Sequence, residues 1–157
     1  GIAGGTQAMT WDEAGRCTKP NQPAFLARPA SIQASMGDGG TTVVFGTEIF
    51  DQNANFASNT FTAPITGRYK LDVSLWLQDV GTDVAYIYVK LQTSNRVYNG
   101  IIAPPSFDST AAYWSLQASV LADMDAGDTA LIKYQQSGSS TNVDIHGDSW
   151  FSGYLVA

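Results

Sequence analysis

Histidine and cysteine are almost missing from this sequence, with one of each in 157 residues. Cys17 therefore has no partner for an internal disulfide, and Cys17 with His146 cannot assemble a zinc set. Cys17 reads as a free or semi-buried thiol, the alternative being a cross-link between copies of the chain. Charge is scarce too. Only 14% of residues are Asp, Glu, Lys or Arg, against roughly a quarter in ordinary globular chains. The 8 Lys and Arg form no cluster, and 14 Asp and Glu leave a net charge of −6. Such a chain repels phosphate backbones, so nucleic acid is not an expected partner. No apolar run approaches the ~20 residues that cross a bilayer, so membrane insertion is not expected. Residues 1–13 lack the basic start and apolar stretch of a secretory leader. A chain that opens on Gly rather than Met reads as part of a longer one. Helical spacing is missing at any useful length, and no solenoid or propeller repeat appears.

What is present is apolar material for one core: 44% hydrophobic and 11% aromatic residues, which argues against disorder and for a single domain. The polar surface must come from Ser, Thr, Asn, Gln and Gly, as suits an extracellular or virion protein.

Residues 1–22 read as a connector from an upstream stalk. They contain the turn signal Asp12-Glu13-Ala14-Gly15 and end near Pro20 and Pro23, which mark the edge of a folded unit. Residues 23–157 read as short strands separated by turns. In Gly67–Gln78, Tyr69, Leu71, Val73, Leu75 and Leu77 alternate with polar residues, so one face is buried. Ala85, Ile87, Val89 and Leu91 repeat the pattern, as do Leu116, Ala118 and Val120. Asp123-Met124-Asp125-Ala126-Gly127-Asp128 is a turn, with Ala130, Ile132 and Tyr134 on its return strand. The last strand puts Phe151, Gly153 and Leu155 on one face and Trp150, Ser152, Tyr154 and Val156 on the other. Many short strands with regular turns predict an all-β, antiparallel two-sheet sandwich or jelly roll.

Phe45, Asp51, Phe56, Phe61, Gly67 and Tyr69 resemble the signature of the globular head of complement component one-q, a relative of the tumour necrosis factor fold. Val120-Leu121 through Gly127-Asp128, and Ser149-Trp150-Phe151-Ser152-Gly153-Tyr154-Leu155, resemble that family's last two strands. There are two departures: the gap from Phe56 to Phe61 is shorter than the family spacing, and Leu71 and Val73 stand where aromatics are expected. The segment from Gly15 to Phe25 resembles the lead-in before such heads in bacteriophage structural proteins. The resemblance implies a homotrimeric jelly roll on a fibre or virion. It also places the Gly67–Gln78 strand and the last strand in the sheet that faces the threefold axis. The outward positions of those strands carry Trp76, Trp150 and Tyr154. Large rings on a face that should be wet imply a protein partner, here further copies of the chain. The alternative is that the rings pack under loops of their own chain.

No serine lies in a nucleophile-elbow context and there is no second histidine, so an enzyme is not expected; a glycosidase pair of facing carboxylates is the residual alternative. Asp144, His146 and Asp148 would share a face if that stretch stays extended, and could then hold a metal or act as acid and base. The plain reading is a loop into the last strand. Asp123, Asp125 and Asp128 raise calcium, but a turn needs those residue types anyway. Some complement-type heads bind calcium through the loop before the Leu116–Met124 strand, which here offers only Asp108. No cofactor is expected.

Candidate ligand loops are Asp79–Val84, Thr93–Asn99, Pro104–Tyr113 and Ser137–Asn142. Asn95, Tyr98, Phe107, Asp108, Tyr113 and Asn142 are the candidate contacts. Pro104 and Pro105 stiffen their loop and are expected to expose Phe107 as an aromatic tip, unless that loop covers the sandwich edge. The expected function is a non-enzymatic trimeric recognition head of a fibre or tail protein. It would bind a host cell-surface glycan or protein, with avidity from three weak sites. The alternative is a trimerisation cap or capsid decoration with a structural role only.

Overall fold

The computed structural model describes residues 9–37, 39–138 and 143–157. The strands are β1 (Thr10–Trp11), β2 (Cys17–Thr18), β3 (Ala24–Arg28), β4 (Gln33–Met36), β5 (Thr41–Thr42), β6 (Thr47–Gln52), β7 (Phe56–Ala57) and β8 (Thr60–Thr62). They continue as β9 (Gly67–Val80), β10 (Tyr86–Thr93), β11 (Val97–Ile102), β12 (Ala111–Met124), β13 (Thr129–Ser137), β14 (Val143–Ile145) and β15 (Trp150–Leu155). All pairings are antiparallel. One sheet runs β11-β10-β13-β8-β7, with β5 also on β13. The other runs β4-β14-β9-β15-β3-β6, with β12 along the second edge of β9. The expected two-sheet jelly roll is the observed fold.

The alternating positions meet between the sheets as period two demands. Tyr69, Leu71, Val73, Leu75 and Leu77 of β9 are buried against Ile87, Val89 and Leu91 of β10 and Ala130, Ile132 and Tyr134 of β13. At one end the core is aromatic. Phe25 stacks on Phe56 (centroids 4.9 Å apart, 15°) and on Phe61 (4.8 Å, 17°), and meets Phe151 edge-on at 4.9 Å. The buried hydroxyls are engaged: Tyr69 donates to Ile65 O at 2.8 Å and Tyr134 to Gln136 Oε1 at 2.7 Å. Burial pushes the Tyr69 phenol above its ordinary pKa.

The short gap from Phe56 to Phe61 has a simple cause. The two rings are cross-strand partners, and Ser58 and Asn59 make a two-residue turn between β7 and β8, both at positive φ. That is the primed hairpin turn whose twist suits the flanking strands. Upstream, the Asp51 carboxylate accepts the backbone N–H of Asn55 (3.1 Å) and of Phe56 (2.9 Å), closing the turn through Asn53 and Ala54. Replacing Asp51 with alanine leaves both donors without their acceptor. The expected loss is about 1–3 kcal/mol in urea denaturation, with Asp51→Asn recovering part of it.

Within residues 1–22, Thr10 pairs with Thr18 and Trp11 with Cys17 in a small hairpin. Its turn is closed by Asp12, whose carboxylate accepts the N–H of Ala14 and of Arg16. The hydrogen bond from the Arg16 backbone, then the Arg16 side chain, holds Asp12 below the ordinary carboxylate pKa. Gln52 Nε2 bonds the carbonyls of Lys19, Pro20 and Gln22, tying this segment to the β6 edge.

Candidate functional site

Strand register decides which side chains point away from the core. Trp150 lies opposite Ser74, Ser152 opposite Asp72 and Tyr154 opposite Lys70, while Phe151 and Gly153 face inward beside Val73 and Leu71. β3 and β6 extend this outer face. Leu26 pairs with Phe50, then the register slips between Leu26 and Ala27 so that Ile49 has no partner of its own. This bulge turns both Ile49 and Phe50 outward; they are 54% and 50% exposed. Trp150 is 37% and Tyr154 50% exposed. Together with Ala24, Leu26, Arg28 and Asp148, these residues line a largely apolar groove of about 610 Å³ across β6, β3 and β15. Sequence periodicity pointed to Trp150 and Tyr154. It missed the Ile49–Phe50 wall, because two adjacent apolar residues fit neither strand alternation.

The middle of the outer face is polar and self-paired. Lys70 Nζ lies 2.8 Å from Asp72 Oδ1 and also bonds Ser119 Oγ. Beyond it stands Trp76, half-buried and covered by its own chain. The imidazole of His146 lies 4.4 Å from the indole, and Tyr113 meets it at 5.5 Å and 72°. The backbone fixes this arrangement. The His146 N–H donates to Trp76 O at 2.8 Å, and the Trp76 N–H donates to Ser149 Oγ at 2.9 Å. Trp76 therefore does not line the groove with Trp150 and Tyr154. On the outward side of β9 the ring packs in part against His146 and Tyr113 of its own chain.

Asp144, His146 and Asp148 do not share an extended face. β14 ends at Ile145, and a turn through Gly147 and Asp148 follows. Asp144 is used by the N–H of Ser35 at 2.7 Å. His146 Nδ1 accepts the Asp148 N–H at 3.2 Å, with Asp148 Oδ2 at 3.4 Å. The acidic turn between β12 and β13 is also internally employed. Asp128 Oδ2 accepts the N–H of Asp125 and Asn95 Nδ2, and Asp123 pairs with Arg96 at 2.6 Å. That hydrogen bond from Arg96 holds the exposed Asp123 carboxyl below its ordinary pKa.

The candidate ligand loops do not gather at one end. β9 runs from Gly67 to Val80, and β12 pairs Met124 with Gly67 and Ala111 with Val80. Asn95, bonded to Asp128, therefore stands at the Gly67 end. Asp108 and Tyr113 stand at the Val80 end with the Asp79–Val84 loop. Tyr98 packs partly against the core. Asn142 lies outside the described residues. Phe107 is not an exposed tip. Pro104–Ser106 form one 3-10 turn that folds Phe107 back onto Trp114, with centroids 4.7 Å apart, and leaves it half-buried. The prolines turn the loop over the β12 edge instead of projecting it.

The sequence model of the C1q domain matches residues 24–156. The chain belongs to the C1q domain family. Among solved structures, this C1q domain is similar to the globular domain of zebrafish complement 1qA protein. That match has 17% identity and a TM-score of 0.62, and covers 86% of this chain and 98% of that one. Murine APRIL follows with 14% identity and a TM-score of 0.57, covering 86% and 99%. Eiger TNF from S. frugiperda has 10% identity and a TM-score of 0.56, covering 87% and 92%. At these identities the solved structures bear on the fold alone. No curated protein sequence matches the chain. C1q and TNF-like domains are typically trimeric recognition or ligand-binding heads, generally without enzymatic activity and usually extracellular.

Proposed function

We propose that this C1q domain is a non-enzymatic recognition head that works as a homotrimer. Its copies pack through the outer face of the β9–β15–β3–β6 sheet. The observation that carries this reading is the groove of Leu26, Ile49, Phe50, Trp150 and Tyr154. Half-exposed rings grouped on one sheet face are costly in water and are the usual anchors of protein interfaces. Residues 1–22 serve as the connector from an upstream stalk. The resemblance of Gly15–Phe25 to bacteriophage lead-ins supports a fibre or tail on a virion surface. The ligand is a host cell-surface glycan or protein, engaged three times per head.

Light scattering tests the assembly. The wild-type domain is expected at three times 16.7 kDa. Tyr154→Arg and Phe50→Arg are each expected to give the single-chain mass with an unchanged β-sheet circular dichroism spectrum. A wild-type protein that stays single at high concentration overturns the reading. The second reading, a trimerisation cap without a ligand, keeps the same mass result. It predicts that the isolated trimer fails to bind host cells or to compete with the intact virion.

A further inference from the structure

The sheet β11-β10-β13-β8-β7, with β5, lies on the far side of the sandwich from the proposed contact between copies. Its strands hold no Asp or Glu, although the chain carries 14. Their formal charges are two lysines, and the register sets Lys90 of β10 directly opposite Lys133 of β13. Both point to solvent, because Val89, Leu91, Ile132 and Tyr134 beside them are buried. Like charges at opposed positions destabilise a sheet. Neither lysine enters an ion pair among the described residues, whereas Lys70 on the other sheet is matched by Asp72. Lys90 Nζ bonds Gln135 Oε1 and lies 5.4 Å from the centroid of the Tyr88 ring. Tyr86 stands next along the strand, 4.9 Å from Tyr88 and at 62° to it. Asn99 of β11 extends the lysine row on its other side. Asp83 precedes β10 and Asp128 precedes β13, so carboxylates flank this antiparallel pair at opposite ends while the lysines sit at its middle.

We propose that the solvent side of this sheet binds an acidic saccharide, its carboxylate or sulfate ester held between Lys90 and Lys133. The proposal rests on the reading of the domain as a recognition head and names the chemistry of its ligand. An anion between the two ammoniums turns a repulsive pair into two attractive ones, and lysine supplies a point charge with rotatable donors that suits either acid group. The neighbouring side chains match the rest of a sugar. Gln135 and Asn99 offer amide donors and acceptors to ring hydroxyls, and the paired tyrosine rings offer a wall for its C–H groups. A long polyanion fits poorly, because it would run onto Asp83 or Asp128, and the net charge of −6 repels it at a distance. An acidic peptide carries its carboxylates on flexible side chains and pays more to order them. A sugar ring presents its acid group already fixed in place.

Trigalacturonate and sulfated lactose are titrated into the whole domain, with neutral lactose and a glutamate-rich peptide beside them. Proton–nitrogen correlation spectra follow the backbone amides of β10 and β13. Saturable shifts around Lys90 and Lys133 are expected with the acidic sugars, weakening as salt is raised, and the tighter of the two assigns the acid group. Lys90→Gln and Lys133→Gln are each expected to weaken binding about fivefold. Lys19→Gln makes the same change in net charge away from the sheet and is expected to bind as the wild type does. Without ligand, Lys133→Gln should raise the thermal midpoint, because it relieves the like-charge pair; a midpoint that falls in both lysine variants would make the pair structural and overturns the proposal. So does the lack of any saturable shift, equal binding of neutral lactose at these strands, an equal loss in Lys19→Gln, or tighter binding of the peptide than of both sugars. Light scattering on the same samples separates this proposal from the reading beneath it. A trimer that ignores both acidic sugars overturns the ligand assignment alone, and a single chain that binds them through the lysines overturns the assembly alone.

Discussion

Replacing Phe25 with alanine is expected to cost about 3–5 kcal/mol of stability, out of a total of roughly 5–15 kcal/mol for a domain of this kind. Phe25 is 1% exposed and touches three other rings, two by stacking and one edge-on. Removing it takes away its transfer free energy and leaves a void walled by aromatic groups. Flat rings pinned on two different sheets cannot collapse into that space. Phe25 also sits on β3, which joins β15 to β6, so loosening it weakens both seams. Urea denaturation followed by fluorescence checks this. The midpoint should fall sharply with little change in slope, and Phe25→Leu should retain most of the stability because it refills much of the volume. A shift under about 1 kcal/mol for the alanine variant would mean that the ring cluster contributes far less than its burial implies.

Placing leucine at Gly153 is expected to abolish folding, and alanine there to cost about 1–3 kcal/mol. Gly153 faces inward on β15, and a Cβ built on it would lie 2.6 Å from Leu71 Cδ2, 2.8 Å from Phe25 Cε1 and 3.2 Å from Lys70 O. The carbonyl belongs to the central strand and cannot move without breaking the β9–β15 ladder. The two side chains are themselves wedged in the core. Soluble yield and thermal midpoint measure the outcome; a soluble Gly153→Leu protein with a wild-type midpoint would show that the β9–β15 seam can open. Because Trp150 and Tyr154 flank this position on the opposite face, the same displacement would distort the groove. Gly153→Ala should therefore weaken assembly as well as folding.

How far the fold could be read from the amino acids depended on how many neighbours each strand needed. β9, β10, β13 and β15 were legible because each buries one whole face, and a buried face writes period two into the chain. β12 was legible only over Leu116–Val120. It is an edge strand, and most of its fourteen residues are exposed on both sides, so burial imposes little pattern there. β6 was hidden by its bulge, which places Ile49 and Phe50 on one side. The hairpin of β1 and β2 is two residues deep on each strand and has no core to advertise it. Of the candidate site, Trp150 and Tyr154 could be picked out as rings on the wrong face. The partnership of Trp76 with His146 and Tyr113 could not. It joins residues from three strands or loops far apart in the chain, and only the pairing of β9 with β12 and β14 brings them together. Phe107 failed for a related reason. A pair of prolines signals a rigid bend, but not the direction in which it points.

The pairing of β3 with β15 also governs the order of events at the ribosome. Phe25 emerges well before Trp150–Leu155, the strand that must cover it on one side. Until then the aromatic, half-apolar strand, paired on its other side with β6, keeps one hydrogen-bonding edge open, a condition that invites misassociation between nascent chains. Closure depends on contacts very distant in sequence, which slows the search for the native state. Neighbouring chains growing on one message would thus present the same open strand edge to one another.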